Sequence, residues 1–384
     1  MGAERINAVR TSFFGKGAIS LLPGELRKRG YKRALIVTDK FLAETGVAAR
    51  VGEALSAAGM EYRVYDRVMP NPTTGIVNEC IGEARDMKAE TLVAVGGGSA
   101  IDTCKAAGIV LANGGRVEDY EGVEKSGRES IPLIAVNTTA GTGSEVTCFY
   151  IVTDDVRHSK MCMVDANCIV DIAINDTDFM MSMPGELTAS TGMDAMTHAI
   201  EAAMTWRSTP ITDKDACWAI GVIREYLPRA VRDGSDVEAR EMMAYAQYAA
   251  GMAFSNAGLG MVHAMAHALG GFYNLPHGVC NAVLLPFVLE YNGQFLQAQE
   301  RFCKIGRALG IAEEPGMDMV HEVVRGIRAL SREVGIPERL RELRIVKESD
   351  FPALAALAVK DACMDTNIGK AVAGDVIQVY RAAM

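Results

Sequence analysis

Three histidines fall within fifteen residues of a segment rich in Ala, Met and Gly: His263, His267 and His277 in Gly260-Met261-Val262-His263-Ala264-Met265-Ala266-His267-Ala268-Leu269-Gly270-Gly271-Phe272-Tyr273-Asn274-Leu275-Pro276-His277-Gly278. Earlier in the chain, Asp194 and His198 stand four apart in Gly192-Met193-Asp194-Ala195-Met196-Thr197-His198-Ala199-Ile200-Glu201, so on a helix they project from one face. Four of the six histidines lie in these two segments. A single histidine in an apolar helix is ordinarily a packed core residue, but this clustering is not easily structural. One carboxylate with several imidazoles suits a divalent transition metal such as Fe(II) or Zn(II). His263 and His267 are also four apart, so spacing alone leaves open which of them is a ligand. His158 and His321 sit among charged neighbours and are expected to be solvated.

A second kind of chemistry is suggested by Gly96-Gly97-Gly98-Ser99-Ala100-Ile101-Asp102-Thr103-Cys104-Lys105, which follows an apolar run and opens a helical one. Glycines let the backbone approach a phosphate, and a helix N-terminus offers free N–H groups and a favourable dipole. The turn is not a Rossmann GxGxxG, because Ile101 occupies the third glycine position, nor a Walker loop. A plain strand-to-helix turn capped by Ser99 would need fewer glycines. Thr138-Thr139-Ala140-Gly141-Thr142-Gly143-Ser144-Glu145 follows another apolar run and suits ligand contact at a strand end. Asp39, after Ala34 to Thr38, can accept from both ribose hydroxyls of an adenosine and would repel a 2′-phosphate. Aspartate at a strand end is equally common turn chemistry.

The elements that must position these residues are legible as two textures. In the first half, apolar runs alternate with helical stretches. Ala34 to Thr38, Tyr62 to Tyr65, Thr91 to Val95 and Pro132 to Val136 read as strands, with shorter ones at Tyr150 to Thr153 and Cys168 to Asp171. Helices are expected near 48–58, over 74–87 and from Ser99. Near-continuous apolar strands separated by helices indicate a parallel sheet covered on both faces. From about Pro184 the chain reads as helical, as in 236–254, 297–309 and 317–334, with breaks at the Gly and Pro residues of 258–260, 270–271, 276–278 and 286. The expected organisation is an α/β domain over 1–182 and an all-helical domain over 183–384.

Composition narrows the function classes. The 384 residues are 49% apolar and 23% charged, a globular balance. A net charge of −9 argues against a nucleic-acid binder, which needs a basic surface. The longest apolar stretch, Ala282 to Leu289, is far short of the ~20 residues of a membrane-spanning helix. Met1 to Ile6 lacks a signal peptide's apolar core, and the nine scattered cysteines form no CxxC pair, so a reduced, cytoplasmic setting is expected.

Together the GGGSxxDxxK turn, the TTAGTGSE loop, the GMDAMTHAIEA helix and the GLGMVHAMAHALGGFYNLPHG segment resemble the iron-dependent (group III) alcohol dehydrogenases, across essentially the whole chain and in order. The likeness is to their lactaldehyde reductase (1,2-propanediol oxidoreductase) branch in particular. It implies an α/β N-terminal dinucleotide-binding domain plus an all-α C-terminal metal-binding domain, the dehydroquinate synthase-like fold. It further implies that Asp194, His198, His263 and His277 ligate one Fe(II), with Zn(II) as the alternative, and that His267 faces the nicotinamide and acts in catalysis. For NAD, it implies that Gly97, Gly98 and Ser99 cradle the pyrophosphate with Asp102 near them. Asn71, Thr138, Thr139, Thr142, Thr147 and Lys160 would line the dinucleotide, and Asp39 would recognise the adenosine ribose. Phe149, Phe254 and Cys363 would wall a pocket for a small primary alcohol or diol, or its aldehyde, in a homodimer or larger homo-oligomer. Two departures from the family pattern bear on substrate range: Phe149 replaces a polar residue of some relatives, and Ile368 stands where many have proline. A zinc-dependent polyol dehydrogenase would share this pattern. A dehydroquinate-synthase-like lyase would need a basic phosphate pocket, and few Lys or Arg flank the metal segments. A metal-stabilised binding protein would need neither glycine loop.

Overall fold

Runs of Val, Ile, Leu and Ala that offer no polar face can only be satisfied between two layers of helix, and most of the first half's strands are of this kind. The computed structural model describes residues 5–157, 159–312 and 314–384, so His158 lies outside the described residues. Among them are nine strands: β1 (Thr11–Phe14), β2 (Arg33–Asp39), β3 (Glu61–Val68), β4 (Thr91–Gly96), β5 (Gly122–Val123), β6 (Leu133–Asn137), β7 (Phe149–Asp154), β8 (Ser159–Val164) and β9 (Ile172–Asn175). Six form a parallel sheet in the order β1-β9-β6-β4-β2-β3. β4, β6 and β9 are buried along their whole length, whereas edge strand β3 is mostly exposed.

The period of two divides each central strand between two cores. Leu35, Val37, Leu92 and Ala94 face one, Ala34, Ile36, Val93 and Val95 the other. Helices α1 (Leu22–Arg29) and α3 (Val47–Ala57) cover the second face with Leu22, Leu26, Val51 and Leu55; the five-residue α2 (Lys40–Glu44) precedes α3. α4 (Thr74–Asp86) and α5 (Gly98–Asn113) cover the first. α4 starts where Thr73 accepts from the Ile76 N–H and turns Val77, Cys80, Ile81 and Ala84 inward at helical spacing.

Several expectations are corrected. Of the strand expected at Cys168 to Asp171, Cys168 closes a short 3-10 turn, Ala166–Cys168, residues 169–171 are irregular, and the true strand β9 follows them. Asp165 caps that turn, and Asp171 accepts from the Leu133 N–H, so polar bonds override the apolar Ile169 and Val170. The segment around Tyr150 to Thr153 does not join the parallel sheet: β7 pairs antiparallel with β8 in a separate three-stranded sheet of order β5-β8-β7. Lys105 fastens this region to α5, its fully buried Nζ donating to the Thr147 carbonyl at 2.7 Å and the Phe149 carbonyl at 2.8 Å.

The second half is helical: α6 (Gly185–Met204), α7 (Pro210–Arg232), α8 (Val237–Ala257), α9 (Met261–Tyr273), α10 (His277–Asn292), α11 (Leu296–Ala308), α12 (Met317–Glu333), α13 (Phe351–Ala358) and α14 (Ala373–Ala383). The breaks expected at 270–271 and 286 are absent. Gly270 and Gly271 lie in the closing turns of α9, and α10 passes through Pro286. α6 is buried all round from Gly192 to Met204, as a helix surrounded by others must be. At Gly192 an added Cβ would stand 2.2 Å from Leu227 of α7, so glycine is what permits that approach.

By contacts, the chain forms two compact units, Met1–Thr139 with Ser144–Ser182, and Ala140–Gly143 with Met183–Met384. The four-residue stretch belongs with the helices because Gly141 abuts Thr191 of α6 and Gly143 abuts Gly251 of α8. Among the described residues no helix is long and apolar enough to cross a membrane. Lys105→Met keeps the aliphatic stem but leaves the Thr147 and Phe149 carbonyls without their donor, so it is expected to destabilise the protein by about 2 kcal/mol in urea denaturation.

Candidate active site

The helical unit assembles the metal-type residues from three helices. Asp194 and His198 are one turn apart on α6, both buried. His263 and His267 are one turn apart near the start of α9. The chain then reverses in three residues: Asn274 takes a left-handed φ of 52°, the Leu275 N–H returns to the Gly270 carbonyl, and Pro276 precedes α10. His277 is therefore the first residue of α10 and comes back over α9. Gly278 allows α10 this close to α6, since an added Cβ would lie 2.3 Å from the Ser190 carbonyl oxygen.

One ligand atom each from Asp194, His263 and His277 falls within 4.8 Å of the others. Asp194 Oδ1 is 3.9 Å from His263 Nε2 and 3.7 Å from His277 Nε2. His198 lies beside this group rather than within it. Its ring stacks between Phe254, at 4.3 Å between centroids, and His263, at 4.6 Å. Burial drives the His263 pKa down to about 3 and that of His198 to about 4, with Asp194 pulling each partly back. Near neutral pH both rings are neutral, with a lone pair to offer.

Two residues that spacing did not single out complete the arrangement. Glu201, two turns after Asp194, places Oε2 2.7 Å from His263 Nδ1. Both Glu201 oxygens already accept backbone N–H groups, so Oε2 acts as an acceptor here too, and His263 gives it Nδ1–H and turns the Nε2 lone pair toward Asp194 and His277. Burial raises Glu201 to about 7, opposed by N–H donors from Val262, Gly260 and His263. Asn281, one turn after His277 and fully buried, donates from Nδ2 to Asp194 Oδ1 at 2.7 Å. The same Nδ2 is 2.9 Å from His263 Nε2 and 3.1 Å from His277 Nε2, while Asn281 Oδ1 has no partner among the described residues. Three acceptors thus converge on one electropositive nitrogen, and the same oxygen and nitrogen atoms suit a divalent cation of the iron or zinc type. Glu201 and Asn281 had one signal in sequence: each is a polar residue at helical spacing from a named ligand candidate within an apolar stretch.

His267 is built differently. Its Nδ1 is 2.8 Å from Asp361 Oδ2, and its ring stacks on His277 at 5.2 Å. Burial alone would raise Asp361, but His267 and the Cys363 N–H outweigh it and hold the carboxyl at about 2. Cys363 is buried beside this pair. The role of Asp361 was not legible in sequence, where it is one more acid in a loop.

In the α/β unit, Asp39, Gly96 and Asn137 end the neighbouring parallel strands β2, β4 and β6, so of the residues expected along a dinucleotide Asp39, Gly97, Gly98, Ser99, Thr138 and Thr139 gather at one end of the sheet. Gly97, Gly98 and Ser99 open α5, which has no side-chain cap, and are partly exposed. Gly96 has φ +153°, and a Cβ on Gly97 would lie 2.8 Å from Thr139 Oγ1, so side chains are excluded there. The Thr138 N–H bonds the Gly96 carbonyl, and Asp39 caps α2 by accepting from Leu42. Asn71, with φ 54°, lies in the turn before α4. Asp102 and Thr147 are engaged inside the unit: Asp102 accepts from the Ser144 hydroxyl and the Ile151 N–H, and Thr147 meets Lys105. Lys160 and Phe149 lie on the antiparallel pair β8 and β7, and Thr142 belongs to the helical unit. His321 is exposed, as expected. Gly278→Ala, which forces α10 away from α6, is expected to cost roughly 1–3 kcal/mol, read as a lower Tm in thermal unfolding.

Comparison with known proteins agrees with this geometry. Residues 10–177 match the family model for iron-containing alcohol dehydrogenases, and residues 188–384 match that for the C-terminal part of the Fe-containing alcohol dehydrogenase family. The chain is 44% identical to lactaldehyde reductase of Escherichia coli (strain K12), covering 99% of this chain and all of that one. It is 42% identical to NAD-dependent methanol dehydrogenase of Bacillus methanolicus, covering 97% of this chain and 98% of that one. The crystal structure of a 1,3-propanediol oxidoreductase superposes with a TM-score of 0.95 at 40% identity, covering both chains completely. With three helices converging a carboxylate and imidazoles, and both halves matched over nearly their full length, the chain belongs to the iron-containing alcohol dehydrogenase family.

Proposed function

We propose that the protein transfers hydride between NAD(H) and a small primary alcohol or diol of the propanediol type, or the corresponding aldehyde, with Fe(II) held by Asp194, His198, His263 and His277. The observation that carries this reading is the convergence of Asp194, His263 and His277 within 4.8 Å. The names of the similar proteins, a lactaldehyde reductase and an NAD-dependent methanol dehydrogenase, support the substrate class and cofactor. The uncapped, glycine-lined start of α5 supports pyrophosphate binding there.

When bound, Fe(II) supplies Lewis acidity toward the substrate oxygen and NAD(H) carries the hydride. The chain's own groups bind, orient and move the proton. The neutral His198 and His263 offer lone pairs, Asp194 offers the negative charge, and Phe254, stacked on His198, keeps water from that side. His267 donates Nδ1–H to Asp361, so its Nε2 is an acceptor able to take the alcohol proton or return it to the alkoxide.

Anaerobic purification, metal analysis and a NADH-linked screen of short aldehydes and diols test the reading. Activity is expected to follow iron content. Full activity with zinc alone and no gain from iron would favour a zinc-dependent polyol dehydrogenase instead. His277→Ala is expected to lose both bound iron and activity, whereas His267→Ala keeps iron and lowers kcat by about 10²-fold. Metal content of the two purified variants decides this; the reverse pattern inverts the assignment. For the cofactor, Asp39→Gly is expected to admit NADPH by removing charge repulsion against its 2′-phosphate. Equal use of NADH and NADPH by the unaltered enzyme would remove that role from Asp39.

A further inference from the structure

Glu201 does more than fill a core position on α6. It is almost fully buried, yet its carboxylate hydrogen bonds go to the first turn of a different helix. Oε1 accepts from the Val262 N–H at 2.7 Å, and Oε2 accepts from the N–H groups of Gly260 at 3.1 Å and His263 at 3.3 Å. The fourth contact is the His263 ring, Nδ1 to Oε2 at 2.7 Å. Gly260 must lack a side chain for this, because an added Cβ would stand 2.9 Å from Glu201 Oε1 and 2.8 Å from Asn367 Oδ1. Asn367 holds the remaining N–H of the turn, that of Met261, at 3.1 Å. α9 itself supplies no capping side chain.

We infer that Glu201 is a positioning residue for the metal, in which one carboxylate both caps α9 and locks the His263 ring with its Nε2 lone pair on the ligand side. This rests on the metal site proposed above. The physical case is that the two tasks share one anion. The N-terminus of a thirteen-residue helix favours negative charge, so the carboxylate is held where the helix begins. From there it fixes both where His263 starts on α9 and which ring nitrogen is free. A carboxylate behind an imidazole also makes the opposite nitrogen a stronger donor to a metal. A mere capping residue would contact the backbone N–H groups and leave the ring alone.

The experiment uses the full chain with Co(II) as probe, under anaerobic conditions. Its dissociation constant is measured by chelator competition, and visible absorption reports the ligand field. The parent, Glu201→Gln and Glu201→Asp are compared, with Tm of each metal-free protein recorded alongside. Glu201→Gln is expected to bind Co(II) about 10–100-fold more weakly with an altered spectrum. Glu201→Asp, which keeps the charge on a shorter arm, is expected to fall between it and the parent. Binding by Glu201→Gln within threefold of the parent, whatever the drop in Tm, reduces Glu201 to a cap and overturns the inference. If Glu201→Gln does not fold, Glu201→Asp is judged by the same threefold criterion. A parent that fails to bind Co(II) overturns the proposed metal site itself, and this inference with it.

Discussion

Two imidazoles one turn apart on α9 are each tied at Nδ1 to a buried carboxylate from another part of the helical unit, Glu201 for His263 and Asp361 for His267. Much of the site depends on this constraint. A neutral imidazole has one donor and one acceptor nitrogen, and whichever nitrogen meets the carboxylate leaves the other as the acceptor. Fixing Nδ1 on both rings presents two Nε2 lone pairs a helical turn apart. Only one of them, that of His263, joins Asp194 and His277 in the tight group. The same local chemistry thus yields two different surroundings, separated by the rise of a single turn.

Close approach between helices is the second requirement, and it is met by omission of side chains. Gly278 lets α10 lie against the Ser190 carbonyl of α6, and Gly260 leaves room for the Glu201 carboxylate and the Asn367 amide. Asn281 shows how specific the result is. Its amide nitrogen stands 2.7 to 3.1 Å from Asp194 Oδ1, His263 Nε2 and His277 Nε2, more neighbours than it has hydrogens. A buried group of acceptors that oversubscribes its donor is costly unless something more strongly positive takes that place.

The α/β unit meets a simpler demand. In a parallel sheet all strand C-termini point one way, so residues following β2, β4 and β6 share an edge without special packing. What needs support is the chain beyond β6, and there the buried Lys105 ammonium gathers the Thr147 and Phe149 carbonyls. The lysine that ends the GGGSxxDxxK motif therefore faces inward, while Gly97 to Ser99 stay accessible at the start of the same helix.

Sequence by itself determined the elements whose burial is uniform or strictly periodic. β2, β4 and β6 are continuous apolar runs, and α8, α11 and α12 repeat at 3.6 residues, so local pattern and final environment agree. It put forward Asp194, His198, His263, His267 and His277 as well, because helical spacing and residue chemistry are local facts, but spacing left open which of His263 and His267 joins the group. It misplaced β9 and broke α9 and α10 at glycines and a proline, because Asp165 and Asp171 redirect one segment and tertiary packing carries the helices through the other positions. The partnership of Glu201 with His263, of Asp361 with His267, and of Asn281 with Asp194, His263 and His277 was decided only by the tertiary structure. An acid or amide in a helix or loop is ordinarily solvated, and only the crossing of α6, α9 and α10 removes the water that would otherwise satisfy it.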